Sequence, residues 1–408
     1  MNRVFSVARS TLRQPADVQR SAPSRWLRSC ALSLPLAFAL IASGPAFAQV
    51  KIGSILSVTG PAAFLGEDMK DAMQMAVDDL NAHGGINGQK VEWVFYDGES
   101  QPAKAINATR RLISQDKVSV IVGGGNMSGI ALAMQPLAEK AQVPFVSTEG
   151  AMSIVYPAAQ RKFAVKSTVD DDQVLERLAD YFDKQKITKI AFLADSSGFG
   201  QSAVEQLKTI AKERKLEVVY QSFNPSDTDL TPQLTAAKSA SVGAVVCWTV
   251  TPAGLIFIKQ AKQLGLTMPL IHSYGFVDQR YMKLAGEDAK SILLVSVKFP
   301  VGADLPDNDP VKSNILDLTK RFEARFGHAP NQFVAQSYDA VMLAAQAMQK
   351  AGPKADGAAI AGAFAGIQGY KGISGIYTFS PERHSGLSKS DTVMIRYDGT
   401  RFRLADYH

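Results

Sequence analysis

The sequence predicts an α/β protein of two similar lobes, each a parallel sheet covered by helices on both faces. Three observations carry that prediction. From residue 50 onward, short apolar runs alternate with amphipathic stretches almost without break, as βα units do. The alternation restarts after 163–166, which doubles the set. The chain beyond a leader is roughly 360 residues long, enough for about two domains.

Residues 1–48 read as that leader. Arg25 and Arg28 precede an apolar run over 31–42, and Ala46-Phe47-Ala48 supplies a small-x-small cleavage site, so cleavage near Ala48 would start the mature chain at Gln49. The run is too short for a permanent membrane span, and no later stretch is long and uncharged enough for one. The competing reading, a buried N-terminal helix, fits poorly with the basic, aperiodic stretch upstream of Arg25. Removing the leader takes away six arginines and one aspartate, so the net charge of +6 falls to +1. The basicity is thus the leader's and gives no argument for nucleic acid. Cys30 leaves with the leader, and it precedes the apolar run whereas a lipidated cysteine would follow it. Cys247 alone remains, so no internal disulfide can form and the exported fold must stand on its core.

In the mature chain a strand over 51–56 leads to a helix over 66–81, where Met69, Met73, Ala76 and Leu80 recur at spacings of three and four. Gly84-Gly85 stops it, because glycine tolerates the left-handed geometry of a C-cap. Strands over 91–96, 118–122 and 144–147 and helices over 103–115 and 131–141 complete the first set. The second set has helices over 171–184, 201–212, 230–239 and 253–263, and strands over 190–194, 218–223, 244–248 and 270–273. Asp170-Asp171-Asp172 suits the start of a helix, since acids favour that end; a metal site is the weaker reading. The Pro/Asp/Gly-rich 302–310 is a loop. Helices over 311–326, 332–351 and 358–367 follow, and strand-like pieces over 373–379 and 391–397 end in a turn at Asp398-Gly399.

The loop 123–129, Gly-Gly-Gly-Asn-Met-Ser-Gly, follows a strand and opens a helix. Its glycines let backbone approach a ligand, and the helix N-terminus offers free N–H groups, which suits a carboxylate or phosphate. A plain tight βα turn is the other reading. No acid follows at the distance a dinucleotide fingerprint requires. Catalysis finds little support. The five histidines lack metal-ligand spacing, there is no G-x-S-x-G elbow or Walker loop, and Cys247 sits in an apolar strand as a buried thiol would. No catalytic residue, metal or cofactor is expected.

Lys51-Ile52-Gly53, Thr59-Gly60-Pro61, Gly84-Gly85-Ile86-Asn87-Gly88 and Tyr96-Asp97 are followed in order by Phe199-Gly200, Leu264-Gly265-Leu266 and Phe379-Ser380-Pro381. This succession resembles the branched-chain amino acid (Leu/Ile/Val) type of periplasmic binding protein, the solute receptors of ABC importers, over nearly all of 50–408. The resemblance implies two Rossmann-like lobes of the type I fold, joined by three hinge crossings near 168, 296 and 387. Lobe I would comprise 49–168 and 297–387, lobe II 169–296 and 388–408, with the ligand held between them. In lobe I, Ser128 matches the hydroxyl that holds the ligand carboxylate. Glu149 and Ala151 match contacts of the next loop, where a hydroxyl is usual at the second place. Leu65 falls near an aromatic position. In lobe II, Phe199 and Val250 match tyrosines, and Tyr274 matches the acid that pairs with an amino acid's ammonium. Met127, Met152 and Trp248 extend these apolar surroundings.

Tyr274 and Phe199 supply no counter-charge, and a buried ammonium without one costs on the order of several kcal/mol. Glu149 is the single acid among the matched positions, and it reads equally well as an exposed turn residue. The resemblance therefore implies a monomeric periplasmic binding component that hands a small hydrophobic carboxylate to a membrane permease. The ligand is either a branched-chain amino acid or, preferred, an ammonium-free aromatic or aliphatic acid. No nucleic acid and no membrane insertion of the mature chain are expected. A signalling module that touches a sensor and an exported Rossmann-like enzyme are the alternatives.

Overall fold

The computed structural model describes residues 49–406, so the leader reading lies outside the described residues. The first sheet is wholly parallel, built of β1 (Val50–Leu56), β2 (Val91–Asp97), β3 (Val120–Val122), β4 (Phe145–Ser147) and β5 (Ala164–Lys166) in the order β2-β1-β3-β4-β5. The second contains β6 (Lys189–Asp195), β7 (Glu217–Phe223), β8 (Ala244–Trp248), β9 (Leu270–His272) and β10 (Leu293–Val297), parallel and in the order β7-β6-β8-β9-β10. The two orders are the same. A hairpin of β11 (Tyr370–Lys371) and β12 (Ile376–Tyr377) stands apart, and β13 (Thr392–Tyr397) and β14 (Phe402–Asp406) add two antiparallel strands beyond β10. This is the two-lobed type I architecture.

The helices are α1 (Ala63–Ala82), α2 (Pro102–Arg111), α3 (Ser128–Ala141), α4 (Asp171–Gln185), α5 (Gly198–Arg214), α6 (Thr231–Ser239), α7 (Ala253–Gln263), α8 (Gln279–Ala285), α9 (Lys312–Phe326), α10 (Gln332–Ala351) and α11 (Gly357–Ala363). On α1 the apolar stripe Leu65, Met69, Met73, Ala76 and Leu80 is buried, and α10 packs along this helix. Gly85, with φ of 73°, donates its N–H to Leu80 O at 2.8 Å and closes the helix end. The chain passes between the sheets three times: from β5 into α4, from β10 back to α10, and from β12 to β13.

The sequence reading departs from the structure in instructive places. Helix α3 starts at Ser128, three residues before the expected 131, because its first turn carries Ser128 and Gly129 rather than an apolar repeat. Helix α8 and strands β10 and β14 fall outside the expected elements; α8 is only seven residues long, too short to show a period. The expected strand over 373–379 shrinks to β12. The Ile373 and Ser374 N–H groups donate to the Asp339 carboxylate on α10, at 2.8 and 2.7 Å, instead of to a ladder.

Asp339 thus pins the return segment just before its last crossing, and its other oxygen contact is the Tyr377 hydroxyl at 3.0 Å. Asp339→Ala leaves two buried N–H groups without acceptors. Stability should fall by about 3 kcal/mol or more, read as a lower midpoint in urea; a loss below about 1 kcal/mol would show that the segment is held by other means.

Candidate ligand-binding site

In open parallel sheets ligands collect beyond the carboxyl ends of the strands, where the strand order reverses. Each sheet reverses between its first and third strands, and the residues of interest follow strand ends in both. Leu65 follows β1, Ser128 follows β3, Glu149 and Ala151 follow β4, and Thr168 follows β5. From the second sheet Phe199 follows β6, Val250 follows β8 and Tyr274 follows β9. Leu65, Ser128, Glu149, Phe199, Val250 and Tyr274 line one small cavity of about 40 Å³ between the lobes.

Two expected residues lie elsewhere. Ala151 is fully buried and does not face the cavity; its N–H donates to Ser128 Oγ at 3.2 Å. That contact leaves the serine's own proton to donate. Met127 lines a second, apolar cavity instead. Trp248 also stays out of the wall, stacked behind Phe199 at a ring separation of 5.6 Å and edge-on to Tyr274 at 5.7 Å.

Glu149 is neither an exposed turn residue nor an open counter-charge. It is 5% exposed, and its carboxylate accepts five hydrogen bonds. Oε1 takes the Gly124 and Asn126 N–H groups at 2.9 and 3.1 Å and the Thr148 hydroxyl at 3.0 Å. Oε2 takes the Ser147 hydroxyl at 2.5 Å and the Thr148 N–H at 3.0 Å. The glycine-rich loop therefore does hold an anion, but that anion belongs to the protein. A Cβ on Gly124 would stand 2.1 Å from Glu149 Oε2, which is why glycine is required there. Burial pushes the Glu149 carboxyl up while its donors pull it down.

Asp171, the first residue of α4, joins the two sides. Its Oδ2 accepts the Met152 N–H at 3.2 Å and the Ser202 hydroxyl at 2.5 Å, and its Oδ1 accepts the Tyr274 hydroxyl at 3.1 Å. Beside it the fully buried Lys166 donates to Gly150 O at 2.5 Å and pairs with Asp170 at 2.8 Å. Burial and the neighbouring Asp171 push the Tyr274 phenol well above its usual range, so it stays a neutral donor.

Sequence reasoning missed Asn126, Thr168 and Gln336, which also line the cavity. Thr168 and Gln336 are 1% and 2% exposed. Among the described residues, Thr168 Oγ1, the Gln336 amide nitrogen and Asn126 Oδ1 are buried without hydrogen-bond partners. Unpartnered buried polar atoms cost about 1–3 kcal/mol each, so a cluster of them facing one space is suited to an incoming ligand. Gln336 lay hidden because it sits inside a well-formed helix, on the face that an amphipathic reading assigns to the core.

Glu149→Gln puts an amide N–H₂ where five donors converge. It should lower the thermal stability of ligand-free protein by about 1–3 kcal/mol; an unchanged Tm would mean that the carboxylate is not holding the loop. Burial also pushes Asp171 up to about 6. An unfolded aspartate titrates near ~3.9, so the folded protein binds the proton more tightly between those values. The stability this group contributes therefore falls as pH rises from about 4 to about 6. Asp171→Asn cannot titrate. The wild-type Tm, relative to the variant's, should drop by a few degrees from about pH 4 to about pH 7, and a constant difference would reject the shift. Asp339, raised to about 6 as well, is common to both proteins and cancels.

Among the described residues no helix is long and apolar enough to cross a membrane, and no group of three or more His, Cys, Asp or Glu is placed to hold a metal ion. Leu/Ile/Val-binding protein homolog 3 of Brucella melitensis is 26% identical over 341 residues, covering 83% of this chain and 88% of the relative. The leucine-, isoleucine-, valine-, threonine-, and alanine-binding protein of Pseudomonas aeruginosa is 26% identical over 315 residues, 74% of this chain and 79% of that protein. The crystal structure of an extracellular ligand-binding receptor from Rhodopseudomonas palustris HaA2 superposes with a TM-score of 0.80, covering 88% of this chain and 99% of that one at 24% identity, a likeness of fold. Residues 49–400 match the family described as periplasmic binding protein. With both sheets, the interlobe cavity and these relatives in agreement, the chain belongs to the periplasmic binding protein family, in its branched-chain amino acid type.

Proposed function

We propose that this protein is the periplasmic solute-binding component of an ABC importer and that it carries a small hydrophobic carboxylate, free of an ammonium group, to its permease. Lobe I is taken as 49–168 with 297–387 and lobe II as 169–296 with 388–408, closing on the ligand. Relatives named for binding leucine, isoleucine and valine support the transport role, and solute-binding relatives speak for a carrier rather than an enzyme.

One observation carries the ligand class. Glu149 is the single acid among the described residues lining the cavity, and both its oxygens are consumed by the glycine loop and by Ser147 and Thr148. Tyr274 is committed to Asp171 and stays neutral. An ammonium would find neither oxygen of that carboxylate free to accept its N–H groups, and each donor left unpaired would cost about 1–3 kcal/mol. A carboxylate meets the free proton of Ser128 and the N-terminal end of α3, whose dipole favours negative charge.

Calorimetry on protein stripped of bound solute tests this. It should compare leucine, isoleucine, valine and phenylalanine with their 2-oxo analogues and with substituted benzoates and cinnamates. An ammonium-free acid should bind at least as tightly as any amino acid, and Ser128→Ala should weaken it by about 1.5–3 kcal/mol. Micromolar binding of a branched-chain amino acid with no binding of any ammonium-free acid would overturn the ligand class, and equal affinity in Ser128→Ala would take Ser128 out of the site.

A further inference from the structure

The polar cavity is too small to hold a whole ligand. Its volume of about 40 Å³ suits a carboxylate group, whereas small-molecule sites usually enclose about 300–1,000 Å³. A second cavity of about 530 Å³ lies against it. Phe64, Met127, Pro252, Ala253, Leu255 and Ile256 give it an apolar wall drawn from both lobes, and Asp227 is the one ionisable residue among the described residues lining it. Leu65 and Val250 line both cavities, so this pair stands between the two spaces.

The two spaces differ in chemistry as well as size. On the polar side, the Ser128 hydroxyl proton, Thr168 Oγ1 and the Gln336 amide nitrogen are uncharged donors, the last two buried and without partners among the described residues, beside the unpartnered acceptor Asn126 Oδ1 and the Glu149 carboxylate, whose oxygens are held by the glycine loop, Ser147 and Thr148. On the apolar side, Leu255, Ile256 and Phe64 offer surface but almost no polar recognition.

We propose that the site is bipartite and selects elongated monocarboxylates. The carboxylate head is held by Ser128, Thr168 and Gln336, and an unbranched apolar tail passes between Leu65 and Val250 into the larger chamber. This rests on the ammonium-free reading above and adds to it a dependence on tail length. Affinity should rise with each methylene that enters the chamber, by about fourfold for complete burial of a CH₂, and level off once the chamber is filled.

Calorimetry with butanoate, hexanoate, octanoate and decanoate tests the proposal on the mature protein. Ile256→Trp fills the chamber from a half-buried helix position without touching the polar side. It should weaken decanoate by about tenfold or more while leaving butanoate within about twofold, at an unchanged far-ultraviolet spectrum. Gln336→Leu should weaken every acid by a similar factor, about tenfold for a hydrogen bond to a charged group, with the length dependence intact. Leu255→Gln gives a second probe of the chamber should Ile256→Trp fail to fold. Acids that bind without gain in length, or a chamber variant that weakens short and long acids alike, overturn the bipartite site and leave the ammonium-free reading standing. If no acid of any length binds while leucine does, the underlying ligand class falls and this proposal falls with it.

Discussion

The Glu149 carboxylate is the interaction on which the rest of the site depends. Five donors from two segments converge on it, the glycine loop after β3 and Ser147-Thr148 at the end of β4. An internal anion with this many charge-assisted bonds fixes the loop more firmly than loose turn contacts would. The fixed loop sets where α3 begins, and Ser128 is at its first turn. Asn126 in the same loop ties it back to the Ser57 and Ala62 carbonyls at 2.8 and 3.2 Å, so the β1 loop is held as well. The floor of the cavity is thus one hydrogen-bonded unit, with Asn126 Oδ1 left without a partner among the described residues.

Opposite that floor, Asp171 links elements that otherwise share no backbone pairing. It brings the Met152 N–H, the Ser202 hydroxyl and the Tyr274 hydroxyl to one carboxyl group. Tyr274 in turn touches the aromatic group of Phe199 and Trp248 at ring separations of 5.4 and 5.7 Å. Farther out, Arg280 on α8 reaches Asp68 on α1 at 2.8 Å, and Asn331 bridges the same aspartate and Asp278. Contacts at two depths join the two sides, the inner one through the buried Asp171 carboxyl and the outer one through the partly exposed Arg280. The inner contact governs the shape of the wall, since a Cβ on Gly150 would strike the Tyr274 hydroxyl at 2.2 Å.

Much of the fold was legible because βα units write themselves in period. Strand β8 and helices α7 and α10 fall where the apolar pattern puts them. What periodicity could not show was short or side-chain-determined structure, such as α8 and the curtailed β12. Resemblance brought together six residues that do line one cavity, but it could not say which way their side chains turn. Glu149 illustrates this: its identity was readable, its orientation into the glycine loop was not. Thr168 and Gln336 left no signal at all. A threonine beside a crossing and a glutamine within a core-facing stripe look like ordinary structure until their polar atoms are found without partners.

The antiparallel strands β13 and β14 complete the second sheet with the last residues described, and β10 pairs with β13 over a separation of about a hundred residues, as Leu293 opposite Arg396 shows. Lobe I depends in the same way on α10, which packs along α1 from the far side of the inserted second lobe. Neither half can be finished before nearly the whole chain is available. A product cut short by some twenty residues would lose β13 and β14, and β10 would become a bare edge open to pairing with another chain. Interleaving the lobes this way ties the integrity of the binding cleft to β13 and β14 as closely as to the loops that line it.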